Sequence, residues 1–270
     1  MTRGCRASLA GLQHSFAASP ISDVGNFLEQ RDPQAWRQCR VTLSIEDCGE
    51  PLVEISPDVS FTSPHPYAAA GAPYGEQGPW FLRVTVAQRL QAAQARLSKQ
   101  HPGFQLRLFD AYRPLSVQGF MIEHEWERIA SEQHGGSFKR LDPIAQDEIR
   151  SLVETFWAPA SQDTTSPPPH STGAALDLTI VDPHKRPLDM GTEIDELSER
   201  SAPSFFAAVR GEKERHYHAN RTLLYDVMTH AGFHRLPSEW WHFSYGDQTW
   251  ALIENLADPE SARPAIYGRV

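Results

Sequence analysis

Two stretches of this chain carry residue types spaced for metal chemistry. His170-Ser-Thr-Gly-Ala-Ala-Leu-Asp177 offers an imidazole and a carboxylate, and Glu239-Trp-Trp-His242 adds a second imidazole with an acid three residues before it. Two imidazole nitrogens and one carboxylate oxygen suit zinc at ~2.0–2.2 Å each, and three protein ligands leave a fourth position for water. Zinc lowers the pKa of that water to ~7, which makes a nucleophile at neutral pH. Glu239 is placed to take the proton of such a water. Arg113, in Asp110-Ala-Tyr-Arg-Pro114, is the third feature. Its fork of donors has two readings by residue type: it holds a developing oxyanion, or it pairs with Asp110.

Other histidine runs read as surface. His124-Glu-Trp-Glu-Arg128 nearly spells H-E-x-x-H, but Arg128 stands where the second imidazole belongs, so a solvated helix face is expected. His216-Tyr-His218 follows Lys213, Glu214 and Arg215 and reads as an exposed loop. The chain has neither a phosphate-cradling glycine motif nor a G-x-S-x-G elbow.

The elements that must position these residues follow from periodicity. Val86, Leu90, Ala93 and Leu97 form one apolar stripe and predict a helix over 83–100. Residues 104–109 alternate as a strand, and a helix over 115–131 follows Pro114. Asp142-Pro143 caps a further helix that ends near Trp157. Residues 174–181 read as a strand that sets Asp177 opposite in direction to Leu176 and Leu178. Shorter elements are expected: a strand over 52–61, helices over 23–29, 203–211 and 220–231, and a final strand beginning at Trp240 or Trp241 with Glu239 on the turn before it. The Pro- and Gly-rich stretch 63–79 is long for an idle loop and is expected to border a site. This order makes an α+β domain, with a mainly antiparallel sheet and helices packed on one side. Residues 1–45 show no clean period and are expected as a loosely attached arm before a catalytic domain over 46–270.

Composition excludes several partner classes. Lys and Arg total 25 against 34 Asp and Glu, a net charge of −9 that opposes binding to nucleic acid. No apolar run is long enough for a membrane helix. Three cysteines without a C-x-x-C exclude a cysteine zinc ribbon and a disulfide framework. The apolar run 7–12 behind Arg3 and Arg6 is too short for a secretory segment, so a cytoplasmic location is expected. Oligomeric state is not legible.

Taken in order, Asp110-Ala-Tyr-Arg113-Pro, His170 through Asp177 and Glu239-Trp-Trp-His242 resemble the zinc D-alanyl-D-alanine dipeptidases of the vancomycin-resistance type, over roughly residues 50–250. The resemblance implies a fold shared with D,D-peptidases and the Hedgehog signalling domain. It implies one zinc ion per chain on His170, Asp177 and His242, with Glu239 as general base and Arg113 on the tetrahedral intermediate. It also implies that Asp195, in Met190-Gly-Thr-Glu-Ile-Asp, binds the free amino terminus of a small D-amino-acid dipeptide. In two places the chain departs from the family. Pro168 replaces a serine two residues before the first histidine ligand and brings neither hydroxyl nor N–H, and a tyrosine near the start of the domain finds no match in 54–61. Two other functions fit the same residues: a D,D-carboxypeptidase or peptidoglycan endopeptidase on the same scaffold, and a zinc-binding module without catalysis. The latter ought to lack the base or the oxyanion group, and the chain has both.

Overall fold

The computed structural model describes residues 33–270. The helix expected over 23–29 and most of the expected arm lie outside the described residues. Within them the order is α1 (Pro33–Val41), β1 (Leu52–Glu54), β2 (Ser60–Phe61), α2 (Pro66–Ala69), β3 (Phe81–Arg83), α3 (Val84–Gln100), β4 (Gln105–Asp110), α4 (Leu115–His134), α5 (Pro143–Phe156), β5 (Ala175–Val181), α6 (Glu212–His230), β6 (His234–Arg235), β7 (His242–Ser244) and α7 (Gln248–Ala257). This is an α+β chain. No helix among the described residues is long and apolar enough to cross a membrane.

The apolar stripe of α3 is the keel of the core. Val86, Leu90, Ala93 and Leu97 are all buried and pack with Leu224, Val227 and Met228 of α6 against the strands. A second cluster gathers α4 and α5 around Tyr67 and Trp157. A third joins Cys39 of α1 and Leu43 to Trp250, Leu252 and Ile253 of α7. Cys39 is buried in this last cluster, while Cys48 is a free, exposed thiol.

The central sheet has the order β2-β4-β5-β7-β6. β2 pairs parallel with β4, whereas β4 with β5, β5 with β7 and β7 with β6 pair antiparallel. β5 lies in the middle and every one of its residues is buried, with Leu176, Leu178 and Ile180 in the core. Asp177 stands directly across from His242 on β7 and from Asp110 on β4. A shift of register between Leu108 and Asp110 permits the latter match. Leu106 and Leu108 join the core, and the irregularity re-aims the end of the strand.

Four local expectations change. The strand expected over 52–61 is two short strands, β1 and β2. Residues 203–211 form turns instead of a helix: Phe205, Ala207 and Val209 donate to the carbonyls three residues back, of Ala202, Ser204 and Phe206, which closes separate turns without propagating a helix. Helix α6 begins at Glu212, eight residues before the expected start, and so carries His216 and His218 on a helix and not a loop. Glu212 and Glu214 in its first turn favour that start. The last strand begins at His242, because the Trp240 backbone is bound to Ser201.

Candidate active site

His170 sits in a single 3-10 turn, Pro169–Thr172, closed by Gly173 in the left-handed region at φ +69°. A side chain at Gly173 would collide with Leu52, so the close approach of this turn to β1 requires glycine. His170 Nδ1 lies 2.7 Å from the Ala111 carbonyl. A carbonyl only accepts, so Nδ1 carries the proton and Nε2 presents its lone pair.

That lone pair meets two groups held by the sheet. His170 Nε2 is 3.2 Å from Asp177 Oδ2 and 3.2 Å from His242 Nδ1, and His242 Nδ1 is 2.9 Å from Asp177 Oδ1. Three donor atoms on buried side chains thus converge, and this group is able to hold a metal ion. A tetrahedral ion with ~2.0–2.1 Å bonds wants its ligands ~3.3 Å apart, which the separations match. Two imidazole lone pairs and a carboxylate are also the donor set such an ion takes. Burial opposes a charge on Asp177, but the two imidazoles hold its carboxyl well below the usual range.

The remaining expected residues border the same space, a cavity of about 490 Å³ lined by His170, Asp177, His242, Glu239, Arg113 and Asp195. Glu239 lies just before β7, with Oε2 3.9 Å from His242 Nδ1. Burial, then the charge of Asp177, pushes its carboxyl up to about 8. Of the two readings of Arg113, the pairing with Asp110 is present. Its Nη2 is 2.7 Å from Asp110 Oδ2, and the same nitrogen reaches to 3.4 Å from Asp177. Asp110 is fully buried and accepts from Arg113, Tyr74 and His65. Burial works against its charge, but Arg113, then His65 and His170, outweigh it and keep the carboxyl low. Asp195 adopts φ +66° and accepts from the Tyr67 hydroxyl at 2.6 Å. Burial and the charge of Asp177 push its carboxyl up to about 7, while Arg113 and Tyr67 pull the other way.

The structure brings all six expected site residues to one cavity and adds others. Tyr67 bridges Asp195 and Arg113, which donates to its hydroxyl at 3.2 Å. Tyr67, on α2, and Tyr74 and His65 beside it all come from the stretch 63–79, expected as a loop, whose length was the available signal. Gln118 of α4 accepts from Arg113 Nη1 at 3.0 Å. Arg37 and Arg40 of α1 also line the cavity, and nothing in the sequence marked them. The near-motif at 124–128 is a surface face, where Arg128 pairs with Glu125 and Glu132.

The sequence model of the Peptidase_M15 family, described as D-ala-D-ala dipeptidase, matches residues 61–261. The chain is 43% identical over 237 residues to a D-alanyl-D-alanine dipeptidase of Synechocystis sp., covering 85% of this chain and 96% of that protein. It is 34% identical over 144 residues to a D-alanyl-D-alanine dipeptidase of Escherichia coli, covering 53% and 56% of the two chains. A crystal structure of a vancomycin-resistance D,D-pentapeptidase in complex with Zn(II) aligns at 11% identity over 77% of this chain and 93% of that one, with a TM-score of 0.38.

Proposed function

Because this chain belongs to the Peptidase_M15 family of D-Ala-D-Ala dipeptidases, we propose that it hydrolyses the D-Ala-D-Ala dipeptide with one zinc ion per chain held by His170, Asp177 and His242. The observation that carries this reading is the meeting of those three side chains in the cavity that also holds an acid, Glu239, and a cation, Arg113. Zinc in that place would polarise the scissile carbonyl and acidify water.

The chain's own residues supply the rest. Glu239 accepts a proton from water as the oxygen adds to the carbonyl carbon. It then delivers that proton to the departing amine nitrogen as the C–N bond breaks, leaving two D-alanines. Its raised affinity for a proton suits both halves of that exchange. Arg113, immobilised by Asp110 and Gln118, donates to the oxygen that gains negative charge. Asp195 with Tyr67 faces the substrate ammonium, and a buried carboxylate of this kind needs a cation to be stable there. Ammonium recognition restricts cleavage to the free end of a short peptide.

The test is a metal assay with a panel of D,D, L,D and L,L dipeptides. The expected result is one zinc per chain and turnover of D-Ala-D-Ala that a chelator stops. Protein that binds no metal, or that cleaves the L,L isomers as well as the D,D, would overturn the reading.

A further inference from the structure

Two guanidiniums from the expected arm enter the active-site cavity. Arg37 and Arg40 lie at i and i+3 on α1, on one face of the helix, and both line the cavity. Their situations differ. Arg37 donates to the Glu154 carbonyl at 2.7 Å and to the Phe156 carbonyl at 3.5 Å, fastening α1 to the end of α5. Arg40 is 8% exposed. Its guanidinium makes no hydrogen bond and no ion pair within 4.0 Å among the described residues. Asp247 is the carboxylate whose charge it feels, while burial and Arg37 work against its own charge. Asp247 Oδ1 accepts from Ser244 and the Trp250 N–H, and its Oδ2 is a buried acceptor that Arg40 does not reach within hydrogen-bond distance. A buried cation without a hydrogen-bond partner costs stability unless something else meets it.

The same wall holds two more groups in that condition. Trp241 Nε1 and Thr249 Oγ1 are buried atoms without a partner among the described residues, and both side chains line the cavity beside Val41 and Leu236. These three side chains and an apolar patch therefore line one cavity. The charges felt by Asp195 come from Asp177, Arg113 and Glu239, and those felt by Arg40 come from Asp247 and Arg37. The cavity is thus lined by an acid, Asp195, and by a cation, Arg40.

We propose that Arg40, supported by Thr249 Oγ1 and Trp241 Nε1, is the subsite for the terminal carboxylate of the substrate, and that α1 is part of the active site. A carboxylate would accept from all three groups at once, and the methyl of the terminal residue would lie against Val41 and Leu236. Arg37 is a positioning residue that holds α1 in place through the α5 carbonyls. Pro168 supplies neither a hydroxyl nor an N–H to a substrate, and Arg40 provides the donor fork from another segment. This assignment rests on the dipeptidase reading for the identity of the substrate, though not for the anion site itself.

The experiment has two arms on zinc-loaded full-length protein. The first compares kcat/KM for D-Ala-D-Ala and its C-terminal amide in the wild type, Arg40→Met and Arg40→Lys. Loss of a charge-assisted bond is worth roughly 10- to 100-fold. Arg40→Met is expected to raise KM by that factor for the free acid, to leave the amide unchanged, and to be partly rescued in Arg40→Lys. The second arm measures Tm with N-acetyl-D-alanine and with its amide, neither of which has an ammonium. The acid is expected to raise the Tm of the wild type, and the amide is not. Equal shifts from acid and amide in the wild type overturn the subsite even if Arg40→Met does not fold. A shift for the acid alone in protein that cleaves no dipeptide leaves the subsite standing and sinks the dipeptidase reading.

Discussion

At the scale of single residues, the site separates three carboxylates by what surrounds them. Asp177 sits between two imidazoles and stays ionised. Glu239 and Asp195 are pushed up, first by burial and then by the Asp177 charge, to about 8 and about 7. A base that returns its proton to a leaving group works best with a proton affinity near the working pH. Glu239→Gln preserves size while removing that exchange, so zinc content should hold at one per chain while kcat falls ~10²- to 10⁴-fold. Turnover near the wild-type rate would take Glu239 out of the role. Asp195 gives a pH prediction with a definite sign. A carboxyl with a raised pKa is neutral below that pKa and then offers no charge to an ammonium. KM for D-Ala-D-Ala should therefore rise as pH falls through an inflection at or below about 7, because a bound cation offsets part of the Asp177 charge. Asp195→Asn should show a high KM with that limb flattened. A pH-independent KM in the wild type would show that Asp195 does not meet the ammonium.

Among the elements, one row of the sheet does most of the positioning: Asp110 on β4, Asp177 on β5 and His242 on β7 are neighbours across the strands. Much of this was legible. The stripe of α3, the strands over 104–109 and 174–181, and the place of Glu239 before the last strand all follow from period and punctuation. The bulge that puts Asp110 opposite Asp177 was not legible, because register depends on the pairing partner and leaves no mark on one strand alone. Tyr67 was hidden for a related reason: α2 is a single turn, too short to show a period, and only the length of the stretch 63–79 hinted at a site. Arg40 belongs to no motif, and its meaning depends on where α1 docks. Asp110 also separates support from chemistry. Asp110→Asn removes the charge that immobilises Arg113, and the loss of a supporting partner of this kind costs ~10- to 100-fold. The fall in kcat/KM is expected without loss of zinc, since Asp110 makes no ligand bond. Leu90→Ala, in the fully buried stripe of α3, should instead cost ~2–5 kcal/mol of stability with kcat unchanged below the melting transition. A denaturant titration beside a rate measurement distinguishes the two.

For the whole molecule, the three side chains able to hold a metal tie distant parts of the chain together through charge. His170, Asp177 and His242 come from a turn and two strands, and the cavity they share is roofed by α1 and by the end of α5. Without a cation this cavity collects acids that raise one another: Asp177 and Glu239 both push Asp195 up, and Asp177 pushes Glu239 up. Near pH 7 the metal-free protein therefore keeps protons on Glu239 and Asp195 for part of the time. A divalent cation reverses that balance, because its charge favours the ionised form of every carboxyl around it. Metal binding must then expel protons, and the apparent affinity must rise with pH through the range of about 7 to about 8 set by these two groups. Calorimetric titration of chelator-stripped protein with zinc, repeated in buffers of different ionisation enthalpy at pH 7, should show heats that depend on the buffer. Glu239→Gln should reduce the number of protons released. The same binding stabilises the fold by mass action, about 4 kcal/mol when free zinc is a thousandfold above its Kd. That corresponds to a Tm about 10 °C above that of the stripped protein, at ~2–4 °C per kcal/mol for a domain of this size. Heats that are identical in every buffer at pH 7 would mean that the acids are already ionised before the metal arrives, and the electrostatic account of the cavity would fail with them.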